Sequence, residues 1–169
     1  MFDMTGQNVL ITGSSKGIGK AIAQGMAAQG ANVVISSRKG DVCDAVAEEI
    51  NAAGGGKAVS IACNISHKEQ LENLVAQTHE QLGQIHTLIC NAAVNPHFGP
   101  MAEVTEAAYD KVMDTNVKHN LWLCNMVLPQ MASRNDGSVI IVSSIGGLKG
   151  HDKLGIYAIS HAADFQLAR

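Results

Sequence analysis

Basic residues are not in surplus. The 169-residue chain carries 12 Lys and Arg against 15 Asp and Glu, a formal charge of −3, and no basic cluster longer than Arg38-Lys39. Nothing here is built to neutralise a phosphate backbone, so nucleic acid is not an expected partner. No apolar run approaches the roughly 18 residues of a membrane span. The opening Met-Phe-Asp-Met-Thr-Gly-Gln-Asn lacks the basic-then-apolar pattern of a secretion signal. The expectation is a cytoplasmic protein with no membrane partner. Proline is scarce, with 3 residues, while hydrophobic residues make up 46%. That composition excludes a disordered or collagen-like chain and fits one domain over residues 1–169. The four cysteines, Cys43, Cys63, Cys90 and Cys124, form no C-x-x-C pair and share no ligand spacing with the seven histidines. Neither a disulfide framework nor a metal site is expected, and the thiols are core candidates.

What is present is a repeating alternation. Val9-Leu10-Ile11 ends in a glycine-rich turn, and Ile18 to Gln29 follows at helical spacing and stops at Gly30. Asn32 to Ser36 is a second strand, Asp41 to Ala53 a second helix, and Lys57 to Cys63 a third strand. His67 to Leu82 is helical and closed by Gly83, and Thr87 to Cys90 is a fourth strand. One long helix is expected from the N-cap Thr105 to Met131, then a fifth strand from Ser138 to Ser143 and a helix from about Gly155. Short continuous apolar strands mean that both sheet faces are covered. Strand–helix repeats at this spacing give a doubly wound parallel α/β sheet, which binds ligands at the carboxyl ends of its strands.

The strand ends therefore carry the chemistry. The first leads into Thr12-Gly13-Ser14-Ser15-Lys16-Gly17-Ile18-Gly19. Glycines 13, 17 and 19 suit a tight turn, close approach to a pyrophosphate and close helix–strand contact, with helix N–H groups facing the anion. A flexible glycine turn without ligand is the alternative. The second strand ends in Ser36-Ser37-Arg38-Lys39, where an NAD site usually places an acid for the ribose 2′-hydroxyl. A hydroxyl with Arg38 and Lys16 suits the 2′-phosphate of NADP(H), with NAD(H) ranked second and a solvated basic turn as the bland alternative. The third strand gives Asn64-Ile65, the fourth Asn91-Ala92-Ala93, and the fifth Ser143-Ser144 ahead of Tyr157.

Together these motifs resemble the short-chain dehydrogenase/reductase family over the whole chain. They are T-G-x-x-x-G-I-G, an N-A-A form of its N-A-G motif, Asn116 within Asp114-Thr115-Asn116-Val117, and the Ser144–Tyr157 pair. Asn91 to Pro96 and Tyr157 to Arg169 are most similar to NADP-preferring members acting on carbonyls and secondary alcohols. The resemblance implies a Rossmann-type sheet in the strand order 3-2-1-4-5 and reversible hydride transfer to or from a small carbonyl or alcohol substrate. It makes Tyr157 the general acid or base, has Ser144 bond the substrate oxygen, and has Asn116 hold a relay water. The implied cofactor contacts are Gly13, Ser15, Lys16, Gly17, Ile18, Gly19, Ser37, Arg38, Lys39, Asn64, Ile65, Asn91, Ala92, Ala93 and Tyr157. A homo-oligomer, dimer or tetramer, is implied through the long helix.

Two features depart from the family pattern. His161 stands where the motif Y-x-x-x-K has its lysine, and an imidazole supplies no permanent charge beside Tyr157. The chain ends at Arg169, so the family's C-terminal strands and substrate-covering loop are expected to be missing and the fifth strand to form a bare edge. The alternative readings are a non-catalytic NADP-binding module or an inactive fragment of such an enzyme.

Overall fold

The computed structural model describes residues 2–169. Five parallel strands form one sheet: β1 (Asn8–Thr12), β2 (Asn32–Ser36), β3 (Ala58–Ser60), β4 (Thr87–Cys90) and β5 (Ser138–Ile141). Their order is β3-β2-β1-β4-β5, with β1 at the centre pairing Ile11 with Ile35 on one side and Ile89 on the other. The chain reverses its direction of travel between β1 and β4, and a crevice opens there at the carboxyl ends. This is the Rossmann-type order implied by the resemblance.

Successive residues of β1 serve two cores. Leu10 packs with Val34, Leu88, Leu71, Leu74, Leu123 and Val127, beneath α3 (Lys68–Leu82) and α5 (His119–Ser133). Val9 and Ile11 pack with Val33, Ile35, Ile89, Ala23, Val46 and Ile50, beneath α1 (Gly17–Ala28) and α2 (Gly40–Ala53). Both faces of the central strands are apolar because each is roofed by helices, which explains why they read as unbroken hydrophobic runs. All four cysteines are buried and unbridged. Among the described residues, no helix is long and apolar enough to cross a membrane.

Three expectations are corrected. The long helix is not continuous: α4 (Glu106–Val112), capped by Thr105 Oγ1, runs through a wider π-helical turn, Met113–Lys118, into α5. That wider turn coincides with the inward placement of Thr115 and Asn116, both nearly inaccessible. The strand expected over Lys57 to Cys63 pairs as β3 only at Ala58–Ser60. The Ile61 and Cys63 N–H groups continue to bond the carbonyls of Ile35 and Ser37. Finally, β5 is an edge strand as expected but is not covered on both faces: Val139 and Ile141 pack on the core, while Ser138 and Ile140, 47% exposed, face outward. Helix α6 (Gly155–Leu167) completes the chain.

Candidate active site

The turn after β1 is held by polar contacts on both sides. Thr12 Oγ1 accepts from the Asn91 and Ala92 N–H groups, and Asn91 Nδ2 donates to the carbonyls of Thr12 and Gly13. Ser14 Oγ donates to Ile11 O and accepts from Ser36 N at 2.8 Å each. Gly13 and Gly17 lie in the left-handed region, at φ +67° and +57°. Gly19 is required for another reason. A Cβ there would lie 2.5 Å from Gly13 O and 2.6 Å from Asn91 Nδ2, so the helix approaches the turn only without one. No side chain caps the start of α1, and no acid occupies its first turn. Its free N–H groups face an anion's ordinary position.

Around this turn lies a cleft of about 900 Å³. Gly13, Ser15, Lys16, Gly17 and Ile18 form one wall, and Ser37, Arg38 and Lys39 line the end beyond β2. Asn64, Ile65, Asn91, Ala92 and Ala93 close the far side. Of the expected cofactor contacts, only Gly19 and Tyr157 stay outside this lining, Gly19 because it is packed beneath the turn. Asn91 reaches the cleft, but its amide is engaged in clamping the turn. Asn64 is similarly committed, with its Oδ1 accepting from Ser66 N and its own N–H bonded to Gln70. Lys16, Arg38 and Lys39 have no ion pair among the described residues, and no Asp or Glu lines the cleft.

Sequence reasoning missed several lining residues, among them Val42, Cys63, Ser66 and Lys111. Lys111 Nζ donates to Ser66 Oγ at 2.8 Å, across from α4. Its spacing on an amphipathic helix gave no sign of this. Thr12 is a fixed letter of the turn motif and Ser14 one of its free positions, and neither carried an expected role.

The four expected catalytic residues do not line the cleft themselves; they gather around α6, next to it, since Asn116 bonds Val94 of the lining. Asn116 is inaccessible and fully engaged. Its Oδ1 accepts from Val94 N, its Nδ2 donates to Val94 O and Ser160 Oγ, and its own carbonyl accepts from Asn120 Nδ2 at 2.8 Å. Ser144 opens the short 3-10 turn Ile145–Gly147 and accepts from Gly146 N. That turn sits directly on α6, because a Cβ on Gly147 would meet the His161 carbonyl carbon at 2.7 Å. Tyr157 is half-buried and its hydroxyl has no partner among the described residues. Its ring meets His161 edge-on, centroids 4.3 Å apart at 72°. His161 points inward rather than to solvent, with Nδ1 2.8 Å from Asp164 Oδ2 and 3.2 Å from Ser143 Oγ. A second, shallower cavity of about 450 Å³ lies beside this group, walled by Met101, Leu148, Ala158 and Ile159.

The model of the short chain dehydrogenase family matches residues 7–169. A rabbit (Oryctolagus cuniculus) protein, dehydrogenase/reductase SDR family member 4, is 41% identical over 154 residues, 91% of this chain and 59% of its own length. A short-chain dehydrogenase/reductase from Mycobacterium ulcerans superposes with a TM-score of 0.93 at 26% identity, covering 98% of this chain and 61% of that one. Another from Burkholderia phymatum, solved in complex with NAD, gives 0.92 at 26% identity over 99% of this chain and 59% of its own. The chain thus spans about three fifths of the length of the relatives it matches.

Proposed function

The chain belongs to the short chain dehydrogenase family, and from that premise we propose that it is an NADP(H)-dependent oxidoreductase. It forms one dinucleotide-binding domain over its length and interconverts carbonyls and secondary alcohols. The observation that carries the cofactor half is the cleft end beyond β2, where Ser37, Arg38 and Lys39 meet Lys16 with no carboxylate present. A free ribose 2′-hydroxyl wants an acidic acceptor there, whereas a 2′-phosphate wants guanidinium and ammonium. The residues fit the group: the Gly13–Gly19 turn leaves room for backbone to approach a pyrophosphate, and the N–H groups opening α1 face it.

When bound, the nicotinamide supplies or accepts the hydride. The protein's task is the proton. Tyr157 delivers its hydroxyl proton to the substrate oxygen in reduction and removes it in oxidation, while Ser144 Oγ donates to the same oxygen. Ile145 and Leu148 in the loop after β5, exposed together with Ile159 and Met101, give an apolar surround for the substrate's carbon skeleton. Self-association is part of the same reading. Tyr109, Leu121 and Leu128 leave an apolar stripe of α4 and α5 open to a second copy.

Fluorescence titration with NADPH and NADH tests the assignment. One charge-assisted contact is worth about 1.5–3 kcal/mol, so NADPH is expected to bind roughly 10- to 150-fold tighter. Arg38→Asp reverses the preference, and Gly19→Ala weakens both dinucleotides because its Cβ displaces the turn. Tighter binding of NADH by the unaltered chain overturns the NADP(H) assignment. A second reading, a cofactor-binding module without turnover, is favoured by His161 standing in place of an ammonium. NADPH binding without oxidation by any of a panel of carbonyls selects it.

A further inference from the structure

The cations that line the cleft do not all come from one side of the sheet. Lys16 leads into α1, and Arg38 and Lys39 lead into α2, the two helices over one face. Lys111 belongs to α4, which runs on towards α5 over the other face, and Ser66 leads into α3 on that same side. The 2′-phosphate assignment uses Lys16, Arg38 and Lys39. It leaves Lys111 without a role.

The Lys111 ammonium is held in place but not neutralised. It is half-buried, its Nζ donates to Ser66 Oγ at 2.8 Å, and two of its three hydrogens remain. Ser66 is itself fixed, because its N–H donates to Asn64 Oδ1 at 3.2 Å and the Asn64 N–H donates to Gln70 Oε1 at 2.7 Å. The acids nearest to Lys111 along its own helix do not take the charge. Asp114 is paired with Lys118 at 3.0 Å, and Asp110 forms no ion pair among the described residues. Lys20, Lys68 and Lys118 each meet a carboxylate, whereas Lys111 meets a neutral hydroxyl. A charge drawn partly out of water with only a neutral partner is under-compensated. On the wall of a cleft that no carboxylate lines, its field is left for an anionic ligand.

We propose that Lys111 is a cofactor-binding residue that meets the adenosine diphosphate half shared by NADPH and NADH, from the side of the sheet opposite Arg38. The inference rests on the dinucleotide reading above and adds a contact that does not discriminate between the two cofactors. It falls on that half because Ser66, which holds the lysine, stands beyond β3 on the Ser37 side of β1. Ser144 and Tyr157 follow β5, at the other end of the strand order. Ser66 is the positioning residue that keeps the ammonium on the cleft wall.

Titrations with NADPH, NADH and ADP, the last followed by its displacement of fluorescent NADPH, test the contact. Lys111→Met should weaken all three by the same factor, about 10-fold or more, and leave the ratio of NADPH to NADH affinity unchanged. Lys111→Arg keeps the charge and should restore most of the loss. The loss should shrink towards 1 M salt, where screening sets in beyond about 3 Å. A lysine that only ties α4 to the loop after β3 would give a loss that salt does not touch. In the unaltered chain, brief acylation followed by peptide mass spectrometry should find Lys111 protected by ADP and the exposed Lys57 not. That measurement decides the matter even if Lys111→Met fails to fold. Undiminished ADP affinity in Lys111→Met, a loss confined to NADPH, a salt-independent loss, or a Lys111 amine that ADP leaves open to acylation overturns the inference. Absence of binding of either dinucleotide by the unaltered chain defeats the dinucleotide reading instead, and the ADP protection of Lys111 still stands or falls on its own.

Discussion

Acidification is expected to destabilise this fold by about 2 kcal/mol at pH 5 and about 4 kcal/mol by pH 3 through a single side chain, His119. The imidazole opens α5, is wholly inaccessible, and neither of its nitrogens has a partner among the described residues. Burial pushes it down to about 3, because a charge there has neither water nor an acceptor. Unfolded, the same ring titrates near 6.5. Between those values the unfolded chain holds a proton that the folded chain refuses, so stability is fully present above pH 6.5 and falls with pH down to about 3. Domains of this kind have about 5–15 kcal/mol in total, so the loss is a large fraction. His119→Leu removes the titration without breaking any hydrogen bond. Urea unfolding of both chains at pH 7 and pH 5 reads the effect. The stability gap between them should move by about 2 kcal/mol in favour of the variant at pH 5. An identical pH dependence in the two chains would show that His119 reaches water.

The parts of this molecule that were visible in the sequence are those governed by neighbours along the chain. β1, β2 and β4 announce themselves as apolar runs because helices cover both of their faces, and α1 and α3 stop where Gly30 and Gly83 adopt positive φ. The glycine turn and the cations after β2 are also local, and they line the cleft together. What escaped depends on distant partners. The π-helical turn at Met113–Lys118 accompanies bonds from Asn116 to Val94 and to Ser160, 22 and 44 residues away, and hydropathic period carries no trace of them. Asn91 lines the cleft as expected, but that its amide also clamps the turn, almost 80 positions earlier, had no local sign. Position 161 was recognised as anomalous, but its meaning depended on Asp164. That signal was available: an acid three residues on, one turn along the buried face of an otherwise apolar helix.

Tyr157→Phe is expected to lower NADPH-dependent carbonyl reduction by about 10²–10⁴-fold, the usual share of a general acid, while leaving NADPH affinity unchanged. The split follows from what the side chain does. Its ring packs edge-on against His161 at 4.3 Å, and a phenyl ring keeps that contact, so α6 and the loop from Ser144 to Gly147 stay in place. Its hydroxyl bonds nothing among the described residues, so removing it leaves no buried group stranded and costs the fold little. On the proposed reading, what disappears is the proton for the substrate oxygen. Ser144 Oγ does not replace it, since a serine hydroxyl is a far weaker acid than a phenol near pH 10. Single-turnover oxidation of bound NADPH, followed at 340 nm, separates the chemical step from binding and release. A variant that reduces carbonyls as fast as the parent would remove Tyr157 from the reaction. A variant that loses NADPH affinity and rate in equal measure would make the hydroxyl a cofactor ligand rather than the proton donor.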